Sequence, residues 1–518
     1  MRALRRSALT AITAGTLACV GAAGAHAEPV TVVDGDRVEH VDDPFVPPRA
    51  EIALGPVPGG ARVQAAPSAA GPRAVSGALK RAHRRRAIGL PQYRDYRRTY
   101  SRARSIARRL RGARRRELSY VLRSVERIAG AGRLSASRMP ALFLQLGRNA
   151  SYWGSKRFPA AGDQISFRGS ELLYQYFPGQ GLQLHPLSNF KKANQLHGAC
   201  AKAGRPGKPV CGAFPPGPKR GTPCRPQRLR RLLDELSRLA VKRGRGFIAW
   251  EYNFAFGGGS PPWMSGMAQA TAITALARGA QLLKQPAYTA TAAAALGAFE
   301  TRRPTGVRTR GPMGGVHYLQ YSFAPRLYIF NAFFQSLIGL YDYARATKDA
   351  RAGKLFAQAE PEARREVALS SVGDWSRYSH GGRESTGEYH ELLREVLQGL
   401  GRRLGPTTPL GVIYCTYATR YRGFQVDPPR IRFRGPPSAV AKRPLRVRFS
   451  LSKWSVVEVR IAKGRKRVFR HLATYRRGRH SVAWRPRSAG GYRVRIAAKE
   501  LRTGRGRRGR LTVAMPVR

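Results

Sequence analysis

The sequence predicts a multidomain chain, an all-α (α/α) toroid followed by a C-terminal all-β sandwich, on three observations. Apolar residues recur at helical spacing between Ser101 and Leu404, strict alternation replaces that period after Val426, and proline pairs mark the change at Pro428-Pro429 and Pro436-Pro437. At 518 residues the chain is long enough for several domains with cores that need no metal or disulfide. The expected organisation is a signal peptide over 1–27, a Pro/Ala-rich linker or arm over 28–85, the helical domain over 86–426 and the sandwich over 427–518.

In chain order, Arg2, Arg5 and Arg6 precede an apolar stretch from Ala8 to Ala23, and Ala25-His26-Ala27 supplies small residues for cleavage. Export is the expectation, with the mature chain secreted or held at the cell surface. Beyond position 27 no run of about 20 apolar residues exists, so no integral membrane segment is expected after cleavage. Residues 28–78 are rich in Pro, Ala and Gly without sustained period, apart from a short strand at Val30 to Val33. From Ile106 to Ile128 apolar residues at helical spacing alternate with arginines, predicting one amphipathic helix with a basic face. Helices are also expected over 228–243, 265–284, 288–300, 331–347, 354–367 and 389–404, in pairs joined by Gly/Pro loops and without interleaved strands. A ring of such pairs would carry a cleft in the loops at one end.

The charge is extreme. Lys and Arg number 94 against 29 Asp and Glu, a net +65 that destabilises a compact chain by self-repulsion unless anions are near. Arginine-rich composition from the source genome would also raise it. Because the N-terminus points to export, an anionic polysaccharide is the expected partner and nucleic acid is not. Without Cys19 the chain keeps Cys200, Cys211, Cys224 and Cys415, an even number suited to an oxidising compartment, with three pairings open. No metal-ligand spacing, phosphate loop or Ser/His/Asp arrangement stands out, and no cofactor is expected.

Four segments mix aromatic, Gly and amide residues: 174–194, 250–269, 317–342 and 374–392. Pyranoses offer apolar C–H faces and a rim of hydroxyls, so aromatic platforms with hydrogen-bonding groups suit a sugar cleft. Trp263, Gln269, His317, Asn331, Arg377, Arg383 and His390 are the candidate substrate-binding residues.

Ser265-Gly-Met-Ala-Gln269 through Arg278, Asn331 through Gly339-Leu-Tyr341-Asp342, and Tyr378 with Tyr389-His390 resemble the C-terminal domain of D-glucuronyl C5-epimerases. The resemblance runs from about Tyr174 to Leu404. It implies inversion of C5 of glucuronate within a polysaccharide such as heparosan, by removal and return of the proton α to the carboxylate. The family's Glu-Tyr pair falls on Gln320 and Tyr321, and its two later catalytic tyrosines fall on Tyr378 and Tyr389. Gln320 stands where the family has an acid and cannot accept a proton, and Gly381 stands where an arginine follows the first of those tyrosines. A tyrosine can serve as either base or acid if a neighbouring positive charge lowers its pKa from about 10. A lyase, expelling the C4 substituent from the same carbanion, and a non-catalytic binder of anionic glycans are the alternatives. In the C-terminal region, His480-Ser-Val-Ala-Trp484 and Ala489-Gly-Gly-Tyr492-Arg-Val-Arg-Ile496 resemble the immunoglobulin-like module of flagellar hook-capping proteins, which implies a spacer or adhesion role.

Overall fold

The computed structural model describes residues 28–57, 71–155, 158–201, 211, 222–244, 246–503 and 506–518. The expected signal peptide over 1–27 lies outside the described residues.

The linker expected over 28–85 is corrected by the structure. Strands Glu28–Asp34 and Arg37–Asp43 form an antiparallel hairpin whose two-residue turn uses Gly35 at φ +49. Residues Val30 to Val33 pair in parallel with strand Gln164–Phe167, which continues to Tyr174–Phe177 and Gly181–Leu184 in one five-stranded sheet. Ion pairs fasten this hairpin to the helices. Arg228 reaches Asp43 at 2.6 Å and Glu171 at 2.9 Å, and Lys192, nearly inaccessible, reaches Glu171 at 2.9 Å. A one-turn helix, Arg49–Ile52, buries Ile52, and helix Gly71–Arg84 buries Val75, Ala78, Leu79 and Ala82 along one stripe.

The basic helix read across Ile106 to Ile128 is two helices, Leu90–Arg109 and Gly112–Gly130, broken where Gly112 takes φ +56. Strands also interleave the helices here, contrary to expectation, because Gln164–Phe167, Tyr174–Phe177 and Gly181–Leu184 are too short to display a period. Helix Phe330–Thr347 packs against Gly266–Leu283, Ala350–Leu369 and Gly387–Arg403, while Pro186–Cys200 packs on Gly266–Leu283 and Pro409–Val426 on Gly387–Arg403. Small residues set the closest approach: a Cβ on Gly339 would stand 2.5 Å from the Ala270 carbonyl oxygen, so helices Gly266–Leu283 and Phe330–Thr347 meet backbone to backbone. Disulfides join Cys200 to Cys224 and Cys211 to Cys415.

The C-terminal region is all β. Ile431–Phe433, Leu445–Leu451 and Gly478–Trp484 form one sheet; Lys466–Tyr475, Ser455–Lys463, Gly490–Glu500 and Arg508–Val517 form the other. Alternate residues, among them Val447, Phe449, Val459, Ile461, Val494 and Ile496, share one core between the sheets. Trp484 meets Tyr492 edge-on at 5.1 Å, and the Tyr492 hydroxyl donates to the Ser488 carbonyl at 2.8 Å. This region is bonded to the helical one. Arg502 forks onto Asp374 and Glu384, both at 2.7 Å, and Lys453 donates to the carbonyls of Gly423 and Phe424 at 3.0 and 2.6 Å.

Candidate functional site

A cleft of about 1130 Å³ opens between the loops that carry Phe323 to Leu327, Tyr378 to Thr386 and Gly257-Gly258, with Tyr389 in its wall and Pro56-Val57 at its edge. Tyr378 and Tyr389 line it and Tyr321 is buried beside them, each from a different element. Tyr321 lies on the loop after strand Val316–Tyr318. Tyr378 lies between helices Ala350–Leu369 and Gly387–Arg403, on a loop pinned where the Tyr378 amide donates to the Arg383 carbonyl at 3.1 Å and the His380 amide to the Tyr328 carbonyl at 3.0 Å. Tyr389 occupies the first turn of Gly387–Arg403, whose N-cap Thr386 accepts the Tyr389 amide at 3.4 Å.

The rings of Tyr378 and Tyr389 meet edge-on at 4.8 Å, and Tyr321 stands edge-on to Trp263 at 5.6 Å. Beneath them Trp263 stacks flat on Tyr252 at 4.2 Å and donates its indole N–H to the Phe254 carbonyl at 2.7 Å. These packed rings hold the Tyr321 ring in one orientation. The hydroxyls converge on the segment Ala53 to Gly55. Tyr389 donates to the Ala53 carbonyl and Tyr321 to the Gly55 carbonyl, each at 3.0 Å, and a Cβ on Gly55 would fall 1.9 Å from the Tyr378 oxygen.

All three phenols are held protonated. Burial drives the Tyr321 pKa well above 10, with neighbouring Tyr378 and Tyr389 adding to it; burial and Tyr389 do the same to Tyr378, and burial with Glu388 to Tyr389. The condition of a neighbouring cation lowering a tyrosine pKa is therefore not fulfilled, although Arg326 and Arg383 line the mouth. In this state the tyrosines are proton donors.

The other expected residues are placed elsewhere. Gln320 accepts from Ser265 Oγ at 3.0 Å, and the same oxygen caps helix Gly266–Leu283 by accepting from the Ala268 amide at 3.1 Å. Gln269 clamps the Trp250 backbone through both its amide atoms, at 3.1 and 3.0 Å. His317 is fully buried with Nδ1 2.8 Å from Glu366. His390 lies flat on Trp375 at 3.6 Å, with Nδ1 2.8 Å from Ser376 Oγ and Nε2 3.0 Å from the Tyr421 carbonyl. Arg377 spends Nη1 on the Gly382 carbonyl at 2.9 Å, and Asn331 is buried at the start of helix Phe330–Thr347. Of the expected substrate-binding residues only Arg383 lines the cleft. The cleft adds Arg326, His380, Pro56 and Val57. His380 was legible from its place in Tyr378-Ser-His380; nothing in the Pro/Ala-rich composition around Pro56 and Val57 marked them. Among the described residues, no group of three or more His, Cys, Asp and Glu side chains is placed to hold a metal ion.

Residues 244–404 match the model of the D-glucuronyl C5-epimerase C-terminus. Over this segment the chain is similar to the D-glucuronyl C5-epimerase family. All three tyrosines and every cleft residue except Pro56 and Val57 fall within the matched segment. No curated protein matches the chain. Among solved structures, a Cellulomonas fimi endo-beta-1,4-mannanase double mutant aligns with 75% of this chain and 82% of its own at 13% identity. Its TM-score of 0.12 carries no argument about fold or function. Among the described residues no helix is long and apolar enough to cross a membrane.

Proposed function

We propose that the chain is an exported, uronate C5-epimerase-like enzyme that inverts C5 of glucuronate residues in an anionic polysaccharide, with its helical pairs arranged as an α/α toroid. The observation that carries the reading is that Tyr378 and Tyr389, from separate elements, line one cleft of the family-matched segment with Tyr321 buried beside them. In this reading Arg326 and Arg383 hold the substrate carboxylate, where they favour the extra negative charge that develops when C5 loses its proton. His380, at the cleft wall, accepts that proton as general base and afterwards releases it to solvent. A neutral tyrosine returns a proton to C5 from the opposite face and is reprotonated from solvent, so the polymer keeps its composition and its bonds. The two disulfides support an oxidising compartment.

A polyanionic partner is supported by the outer face of the four-stranded sheet. There Arg460 stands directly opposite Arg495, and Lys499 opposite Arg508, around a hollow of about 410 Å³ that Arg510 also lines. Its acid, Glu458, is taken up by Arg460 at 2.7 Å and Arg470 at 2.6 Å. Like charges directly opposite on neighbouring strands destabilise a sheet, and a carboxylate or sulfate between them would relieve the repulsion.

One observation favours the second reading, a binder without catalysis: the residue at the family's acid position is an amide turned into the helix cap at Ser265. Incubation with uronate polymers in deuterated water separates the readings. Deuterium at C5, seen by NMR, with no ultraviolet-absorbing unsaturated product supports the epimerase; binding without deuterium uptake leaves the binder, and an unsaturated uronate means a lyase.

A further inference from the structure

The hydroxyls of Tyr321 and Tyr389 are not turned to an open cleft. They are met by the chain's own residues Ala53 to Val57, from a part of the sequence that composition alone marks as a linker. The segment is held from its N-terminal side by buried Ile52, by Glu51 on Lys191 at 2.7 Å and by Arg49 on Asp163 at 2.5 Å. It lies over the ring cluster with Leu54 and Val57 packed against it, Gly55 buried beside Tyr378, and Ala53 and Pro56 facing solvent. Gly257 closes the other side: a Cβ there would meet Val57 Cγ2 at 2.4 Å.

We propose that Ala53 to Val57 is an intrasteric strap occupying the subsite of the reacting uronate, and that the glycan must displace it to reach the tyrosines. The inference rests on the reading of these tyrosines as the reacting groups. A strap carbonyl offers a phenol what a sugar oxygen offers it, an acceptor about 3 Å from the hydroxyl. Gly55 is required because any side chain would strike the Tyr378 oxygen, so the strap seats its backbone where only backbone or a flat ring fits. The grip is modest: two neutral hydrogen bonds and two half-buried aliphatic side chains, which a multi-contact polymer can outcompete. A ligand that needs the strap-open state binds more weakly by the fraction of molecules that are open, so loosening the strap raises apparent affinity by that factor.

The test uses the full chain and polymeric or oligomeric glucuronan-type and heparosan-type substrates. Amide hydrogen exchange over 50–57 is followed with and without glycan, and affinity is compared between wild type and Leu54→Ser, which loosens the strap and leaves all three tyrosines intact. The expected result is faster exchange over 53–57 when glycan binds, and affinity roughly tenfold higher or more in Leu54→Ser. Unchanged or slower exchange in the bound state, or weaker binding by Leu54→Ser, would show that the segment is a fixed wall of the site and overturn the proposal. Failure of both proteins to bind any uronate polymer overturns it as well. Strap release on glycan binding without C5 deuteration sustains the strap and removes the epimerase reading, so the two ideas fail separately.

Discussion

Arg502→Ala tests whether the C-terminal sandwich supports the cleft. The Arg502 side chain is 9% exposed and holds Asp374, 4% exposed, and Glu384, 32% exposed, at the two ends of the stretch carrying Tyr378. Removing one partner of a buried pair costs about 3 to 5 kcal/mol, because the remaining charge is left without compensation. Two features place this case at the lower end. Asp374 keeps the Trp454 amide at 3.1 Å, and Glu384 keeps Arg476 at 3.2 Å while remaining partly hydrated. About 3 kcal/mol is roughly a hundredfold shift toward an undocked loop. Urea unfolding should show that loss, and amide hydrogen exchange over 374–384 should quicken while the strands Ser455–Lys463 and Gly490–Glu500 stay protected. C5 deuteration, where wild type shows it, should fall with the loop. A variant within about 0.5 kcal/mol of wild type, with unchanged exchange over 374–384, would refute the argument that the sandwich braces the site.

Tyr389→Phe should lower C5 deuteration by on the order of 10²- to 10⁴-fold, as expected for loss of a proton-transfer group, with a stability change near the ~1 kcal/mol of one hydrogen bond; equal activity would exclude Tyr389 from the chemistry. Gln320→Glu should fold, since a carboxylate also accepts from Ser265 and sits favourably at the start of a helix; a thermal scan showing collapse would contradict the placement of Gln320. Burial lowers the pKa of His185 to about 3 and of His390 to about 4. The unfolded chain therefore takes up protons near pH 6.5 that the folded one refuses, and stability should fall as pH drops from about 6.5 toward 4. Two such groups give a slope of up to about 2.7 kcal/mol per pH unit, read by urea unfolding at pH 7, 6 and 5; a flat profile would mean these imidazoles are not buried as described. Binding of an acidic polysaccharide should weaken steeply from low to moderate salt, and Arg495→Gln with Arg508→Gln should reduce that dependence; binding insensitive to salt would leave the basic face without a role.

The matched segment was legible because its helices are long and its motifs dense: Ser265 through Arg278 and Asn331 through Asp342 announce both the helical period and the family resemblance. The alternation of Val457, Val459 and Ile461 announced the β region equally well. What sequence could not show is contact between distant residues. Strands of four residues such as Gln164–Phe167 carry no measurable period, and Glu28–Asp34 is half of a hairpin in a stretch whose composition resembles a linker. The side chains of His317, Gln269 and His390 have the polar character of sugar-binding groups, yet each satisfies a buried neighbour. Polar character says that a partner exists, and only packing says whether it is solvent, ligand or protein. Ala53 and Gly55 act through their carbonyl groups, which every residue possesses, so no residue type could have pointed to them.

The bond between Cys211 and Cys415 has a consequence for the denatured chain. Its covalent loop contains 244–404 entirely, and with it Tyr321, Tyr378 and Tyr389. The closure spans 204 residues of separation against 24 for Cys200–Cys224. On chain-entropy grounds the longer closure is worth about 5 kcal/mol and the shorter about 3.4 kcal/mol of restricted unfolded freedom. A single cut by a protease anywhere between the two cysteines severs the backbone without releasing a fragment. Such a nicked molecule runs as one band until reductant is added, and in the oxidised form the pieces that carry the three tyrosines remain tethered and able to refold against each other.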